Sequence, residues 1–148
     1  MVPYVLLVPL AAATLAASSH VPLPPASSTY NFLALADWGD DGAGQHAAAV
    51  GLGTIAASIN AQSVYVLGDN FYSNGIRPED GRDGMTRINR TFESVYTADS
   101  LRNIPFHVVA GNHDHNGNVS AQFAYTNNAQ NVNGRWRFPY VSKRGERP

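Results

Sequence analysis

Three short motifs hold side chains with the chemistry of metal ligands: Asp37-Trp38-Gly39, Gly68-Asp69-Asn70-Phe71-Tyr72 and Gly111-Asn112-His113-Asp114-His115. Carboxylates and a phenolate are hard oxygen donors suited to a trivalent ion, whereas an amide oxygen and imidazoles suit a divalent neighbour. With Asp69 bridging, two cations about 3.5–4 Å apart could bind the oxygens of a phosphate, lower the pKa of a water and stabilise the charge that develops in an in-line displacement. A lone Asp-x-Gly is the ordinary chemistry of a strand-ending turn. Three such motifs in order, each closing an apolar run, point instead to one shared site and to a two-metal phosphoester hydrolase.

The elements that must position these motifs are legible around them. Residues 30–36, 63–67 and 105–110 are apolar runs with strand character, and each leads directly into a motif. The first suits a strand buried on both faces. Residues 45–61 are rich in alanine, with Val50, Leu52, Ile55 and Ile59 at near-helical spacing, and residues 87–96 place Ile88, Phe92, Val95 and Tyr96 on one helical face. Strands alternating with helices predict an α/β fold with a parallel or mixed sheet. In such sheets sites gather just beyond the carboxyl ends of the strands, which is where all three motifs fall. Gly39, Gly68 and Gly111 are expected to turn the backbone sharply where a Cβ atom would clash.

Ten Lys plus Arg stand against eleven Asp plus Glu, so no long-range field draws the chain to nucleic acid or to an acidic membrane. Binding must rest on a local site. A length of 148 residues and a hydrophobic fraction of 44% fit at most one globular domain, at ~100–200 residues per domain. The absence of cysteine excludes disulfides and zinc–thiolate sites.

Residues 1–19 run through Val5-Leu6-Leu7-Val8 and an alanine-rich stretch into small residues, and they resemble a secretory signal peptide lacking a Lys or Arg near its start. The run is too short for a ~20-residue membrane span. Residues 20–29, rich in Pro and Ser, read as a linker. The sequons Asn89-Arg90-Thr91 and Asn118-Val119-Ser120 are candidate glycosylation sites in an exported chain.

Other features carry plainer readings. Gly51-Leu52-Gly53-Thr54-Ile55-Ala56 imitates a dinucleotide-binding fingerprint but lies inside a helical pattern instead of directly after a strand. His46 is expected on an exposed helix face, His107 as a structural histidine within a strand, and Trp38 and Trp136 in packing.

The three motifs together resemble those of the metallophosphoesterases, and Tyr72 within Gly-Asp-Asn-Phe-Tyr narrows the resemblance to the purple acid phosphatases. Residues 111–122 and Arg135-Trp136-Arg137-Phe138-Pro139 are similar to the small, tartrate-resistant animal members of that family, and the similarity spans residues 30–140. The resemblance implies an α-β-β-α sandwich of mixed sheets, of which residues 30–140 supply the N-terminal half while the C-terminal half is missing. It further implies that Asp37 and Tyr72 bind iron(III), that Asp69 bridges, and that Asn112 binds a divalent iron, zinc or manganese. His113 matches the histidine that contacts phosphate or aids the leaving group.

The implied reaction is hydrolysis of phosphate monoesters by an acid phosphatase that is secreted or lysosomal. Asp114 and His115 either take part or form a hydrogen-bonded turn, and Asn70 and Phe71 shape their loop. The family draws three further histidines from later motifs, and no histidine follows His115 here. The expectation is therefore a truncated, inactive form whose inner sheet face is apolar and exposed, whose edge strand is unpaired, and whose partner would be the missing C-terminal half. Residues 141–148 read as an unrelated, disordered polar tail. Two alternatives stay open: a non-catalytic secreted fragment acting only through a partner, and a metallophosphodiesterase using two divalent ions.

Overall fold

The computed structural model describes residues 5–6, 29–81 and 84–138; most of the expected leader and linker and the whole expected tail lie outside them. Each apolar run condenses into a short strand: β2 spans Phe32–Leu35, β3 Ser63–Val66 and β4 Phe106–Val108. Two further strands complete the sheet, β1 (Val5–Leu6) and β5 (Trp136–Arg137), in the order β1-β2-β3-β4-β5. β2 to β5 run parallel and β1 pairs antiparallel with β2, so the sheet is mixed, as expected. β1 falls within the expected leader; an extended apolar segment there meets the free N–H and C=O groups along the edge of β2.

Between β2 and β3 lies α1, Ala43–Ile59, whose Asn60 adopts the left-handed conformation and closes the last turn onto the carbonyls of Ala56 and Ala57. Between β3 and β4 the expected helix over 87–96 is interrupted. α2 (Met85–Ile88) passes into a π-helical turn, Asn89–Glu93, before α3 (Asp99–Arg102). The wider turn keeps Ile88, Phe92, Val95 and Tyr96 buried, so the apolar face is retained although the helical period is not. Between β4 and β5 lies α4 (Val119–Tyr125), whose Asn118 side chain accepts from the Ala121 N–H and caps it.

The core occupies one face of the sheet. Leu33, Leu35, Val64, Val66, Phe106, Val108 and Trp136 join Ala49, Leu52 and Ala56 of α1 and Phe92, Tyr96 and Leu101 in one buried cluster. The alternate positions carry Tyr65, Leu67 and Val109, all exposed, with the Tyr65 ring stacked on His107 at 5.1 Å and met edge-on by Phe32 at 5.3 Å. Among the described residues this face of β3 and β4 is therefore apolar and open. β2 is buried on both faces from Leu33 to Leu35, whereas β3 and β4 are covered on one face only.

Burial first, and the Arg137 guanidinium second, lower the His107 pKa below the ordinary histidine range. The folded value therefore lies below the unfolded value of about 6.5, and acidification through that value protonates the unfolded chain first and destabilises the fold. The expected result is an NMR titration midpoint for His107 below about 6.5 that moves upward in Arg137→Gln. A wild-type midpoint at or above that value would contradict the desolvated environment.

Candidate metal centre

The strand register brings the motif loops together. Leu35 pairs with Val66 and Val66 with Val108, so the carboxyl ends of β2, β3 and β4 are level. The loops leaving them carry Asp37, then Asp69 and Tyr72, then Asn112 and His113, side by side at one edge of the sheet.

Asp37 and Asp69 both sit in the left-handed region, at φ 54° and 53°. Aspartate is among the few residues that tolerate this conformation, and such strain persists where surrounding structure holds it, commonly at functional sites. Here that structure is close backbone contact. A Cβ on Gly39 would strike the carbonyl of Asn70, and one on Gly111 would strike the backbone and carboxylate of Asp69. The Tyr72 N–H also donates to the Gly39 carbonyl at 2.8 Å. Gly39→Ala is thus expected to push the first two loops apart, costing about 1–3 kcal/mol as an overpacked contact, readable as a lowered urea midpoint. An unchanged midpoint would show that the loops separate freely.

The Tyr72 hydroxyl donates to Asp37 at 2.6 Å and lies 3.0 Å from an Asp69 oxygen. Desolvation first, then hydrogen bonds to the two carboxylates, raise the Tyr72 pKa well above the ordinary phenol range. The other Asp69 oxygen accepts the His113 N–H at 3.0 Å. The His113 ring lies against Tyr72, with centroids 4.5 Å apart, and its Nδ1 is 2.6 Å from the Ser73 carbonyl. A carbonyl only accepts, so Nδ1 carries the proton and Nε2 is left for a ligand. Asn112 is exposed on the same loop, and its side chain makes no hydrogen bond among the described residues.

The donor set fits a hard cation. Two carboxylates face one phenolic hydroxyl, and a hard cation could take the place of its proton among the three oxygen donors. Among the described residues no three His, Asp or Glu side chains form a metal-holding group, so the fit rests on Tyr72 with the two aspartates.

Other expected residues lie elsewhere. His46 is exposed on α1, residues 51–56 lie within that helix, and Trp38 and Trp136 are buried in the core. Residues with no expected role support the site. Arg87 donates from one guanidinium nitrogen to the carbonyls of both Gly39 and Tyr72, at 3.1 and 2.7 Å. Gln45, fully buried, accepts the Asp41 N–H and donates to the Thr91 carbonyl. Gln45 lies on the buried face of α1 with Ala49, Leu52 and Ala56, and no local sequence signal marks it or Arg87 for this role.

The calcineurin-like phosphoesterase family matches residues 30–146. The chain belongs to that family. It is 43% identical over 114 residues to the tartrate-resistant acid phosphatase type 5 of Sus scrofa, covering 73% of this chain and 31% of that protein. It is 38% identical over 120 residues to the Homo sapiens protein of the same name, covering 77% and 34%. Purple acid phosphatase 4 of Arabidopsis thaliana is 34% identical over 131 residues, covering 88% and 36%. Among solved structures, the chain resembles GAP50, described as the anchor in the inner membrane complex of Plasmodium, with a TM-score of 0.62 and 25% identity over 73% of this chain and 33% of that one. The chain thus spans about a third of the length of these relatives. Membership in this family implies a binuclear metal centre.

Proposed function

We propose that this chain carries the N-terminal part of a purple acid phosphatase centre that hydrolyses phosphate monoesters. The observation that carries the reading is the Tyr72 hydroxyl held against both Asp37 and Asp69. A phenolate in that position supplies the third hard donor of an iron(III) site, which a phosphodiesterase built on two divalent ions does not need. Asp37, Asp69 and Tyr72 would hold iron(III), with Asp69 shared and Asn112 serving a divalent iron, zinc or manganese. When bound, the pair of ions supplies Lewis acidity and an activated water.

The chain's own residues supply the rest. His113, anchored through Nδ1 to the Ser73 carbonyl, presents Nε2 to the site; as the imidazolium, protonated at both nitrogens, it would donate from Nε2 to a phosphate oxygen or give that proton to the departing alkoxide and return to the neutral Nδ1–H form. Asn112 beside it is exposed and would meet a ligand from solvent. Among the described residues no helix is long and apolar enough to cross a membrane, and a secreted or lysosomal location accords with the apolar start of the sequence. Asn89 and Asn118 are both exposed and available for glycans. Attachment at Asn89 would displace its bond to Gln130, whereas at Asn118 the capping oxygen stays in place.

A second reading, a non-catalytic chain that works through a partner, is favoured by the exposed Tyr65, Leu67 and Val109. Metal chemistry separates the two. Iron(III) titrated into the metal-free chain is expected to give a visible charge-transfer band that Tyr72→Phe abolishes, and Asp37→Asn is expected to weaken binding about tenfold or more. A band that survives Tyr72→Phe would overturn the tyrosinate assignment, and no iron uptake at all would favour the non-catalytic reading.

A further inference from the structure

Beneath the candidate ligands lies a buried polar group that the proposed reaction does not use. Asp114 is fully buried, and no cation among the described residues pairs with it. Its Oδ1 accepts from the Phe71 N–H at 3.1 Å and from Gln122 Nε2 at 2.9 Å, and its Oδ2 accepts from the Gly111 N–H at 2.8 Å. The Asn70 N–H lies 3.1 and 3.0 Å from the two oxygens. Asn70, equally buried, donates its amide to Gln122 Oε1 at 3.0 Å and to the Val109 carbonyl at 2.8 Å, and accepts from the Trp38 indole at 3.0 Å.

These bonds join all three ligand loops. Trp38 follows Asp37, Asn70 and Phe71 lie between Asp69 and Tyr72, and Gly111 precedes Asn112. A buried carboxylate without a cation is tolerated only when N–H donors surround it, and bonds to an ionised acceptor are about twice as strong as neutral ones. We propose that Asp114, seated by Asn70 and Gln122, is the positioning residue of the metal centre, setting the spacing of the Asp69–Tyr72 loop against the Asn112–His113 loop. The proposal rests on the reading of these loops as a metal site. An amide cannot replace the carboxylate: of its two heads one is an NH2, which would face a backbone N–H already lacking any other acceptor.

The test is hydrogen exchange on the metal-free chain, followed by iron(III) titration. In Asp114→Asn the amides of Asn70, Phe71 and Gly111 are expected to exchange about tenfold faster or more, while those of Leu52, Val64 and Val66 keep their protection. Iron(III) affinity is expected to fall about 10–100-fold, the usual effect of removing a group that orients metal ligands. Unchanged exchange at the three loop amides would overturn the proposal, as would equal loosening of the strands in a folded variant. Should Asp114→Asn fail to fold, Gln122→Met decides. It removes one donor from Asp114 and one acceptor from Asn70 at similar volume, and is expected to speed only the same loop amides, about threefold or more. Unchanged loop exchange in that variant would equally overturn the proposal. Wild-type chain that takes up no iron would count against the metal reading, and loosened loop amides with unchanged iron(III) affinity would overturn the positioning role.

Discussion

Arg135→Met is expected to destabilise the fold by about 3–5 kcal/mol, the usual cost of removing one partner from a buried ion pair. Arg135 and Glu93 have side chains 3% and 6% exposed, and the guanidinium meets the carboxylate at 2.6 and 3.1 Å. The same guanidinium donates to the Tyr96 carbonyl and sits over the Phe92 ring at 4.6 Å. It therefore ties the end of the π-helical turn to the residue whose carbonyl accepts the Phe106 N–H at the start of β4. Methionine fills the space but leaves the Glu93 carboxylate buried with, among the described residues, only the Tyr125 hydroxyl and the Val132 N–H. Glu93→Met in the same chain removes that orphaned charge, so the double variant should recover part of the loss. Urea unfolding of the wild type, single and double variants measures both effects. A single variant within 1 kcal/mol of wild type would mean that water already solvates the pair.

This pair also marks where reading the sequence runs out. Arg135-Trp136-Arg137 is recognisable as a motif, yet nothing local tells which of its two arginines is buried. Only a partner 42 residues away makes one of them buried. β2, β3 and β4 were legible because an apolar run ended by Asp or Gly is a local signal, and their level ends follow from parallel pairing. The π-helical turn was not, since a ring of i→i+5 bonds has no spacing signature distinct from that of an α-helix.

The site divides the same way. Asp37, Asp69, Tyr72, Asn112 and His113 were visible as ligand types in sequence order. The contact of Tyr72 with Asp37, 35 residues apart, was not, and neither was the carboxylate of Asp114 under both loops. A polar residue after a strand is by default a turn former, so its burial depends on packing that only the folded chain supplies.

Trp38→Ala is expected to cost about 3–5 kcal/mol, as for other large aromatic truncations in a core. The indole is 1% exposed and lies within ring contact of Phe71, Phe92, Tyr96 and Trp136, at centroid distances of 5.4–6.4 Å. It stands one residue after Asp37, so the cavity would open directly beneath the first candidate ligand. Trp38→Phe separates packing from polarity. It keeps a ring but removes the N–H that donates to Asn70 Oδ1, leaving a buried acceptor unpaired at about 1–3 kcal/mol. The expected order of urea midpoints is wild type, then Phe, then Ala. Iron(III) affinity should fall in Trp38→Phe as well, because Asn70 is the residue between Asp69 and the Asp114-bound backbone of Phe71. A Trp38→Phe chain with unaltered stability and iron affinity would mean that the indole N–H is dispensable and that the first loop is held by its apolar contacts alone.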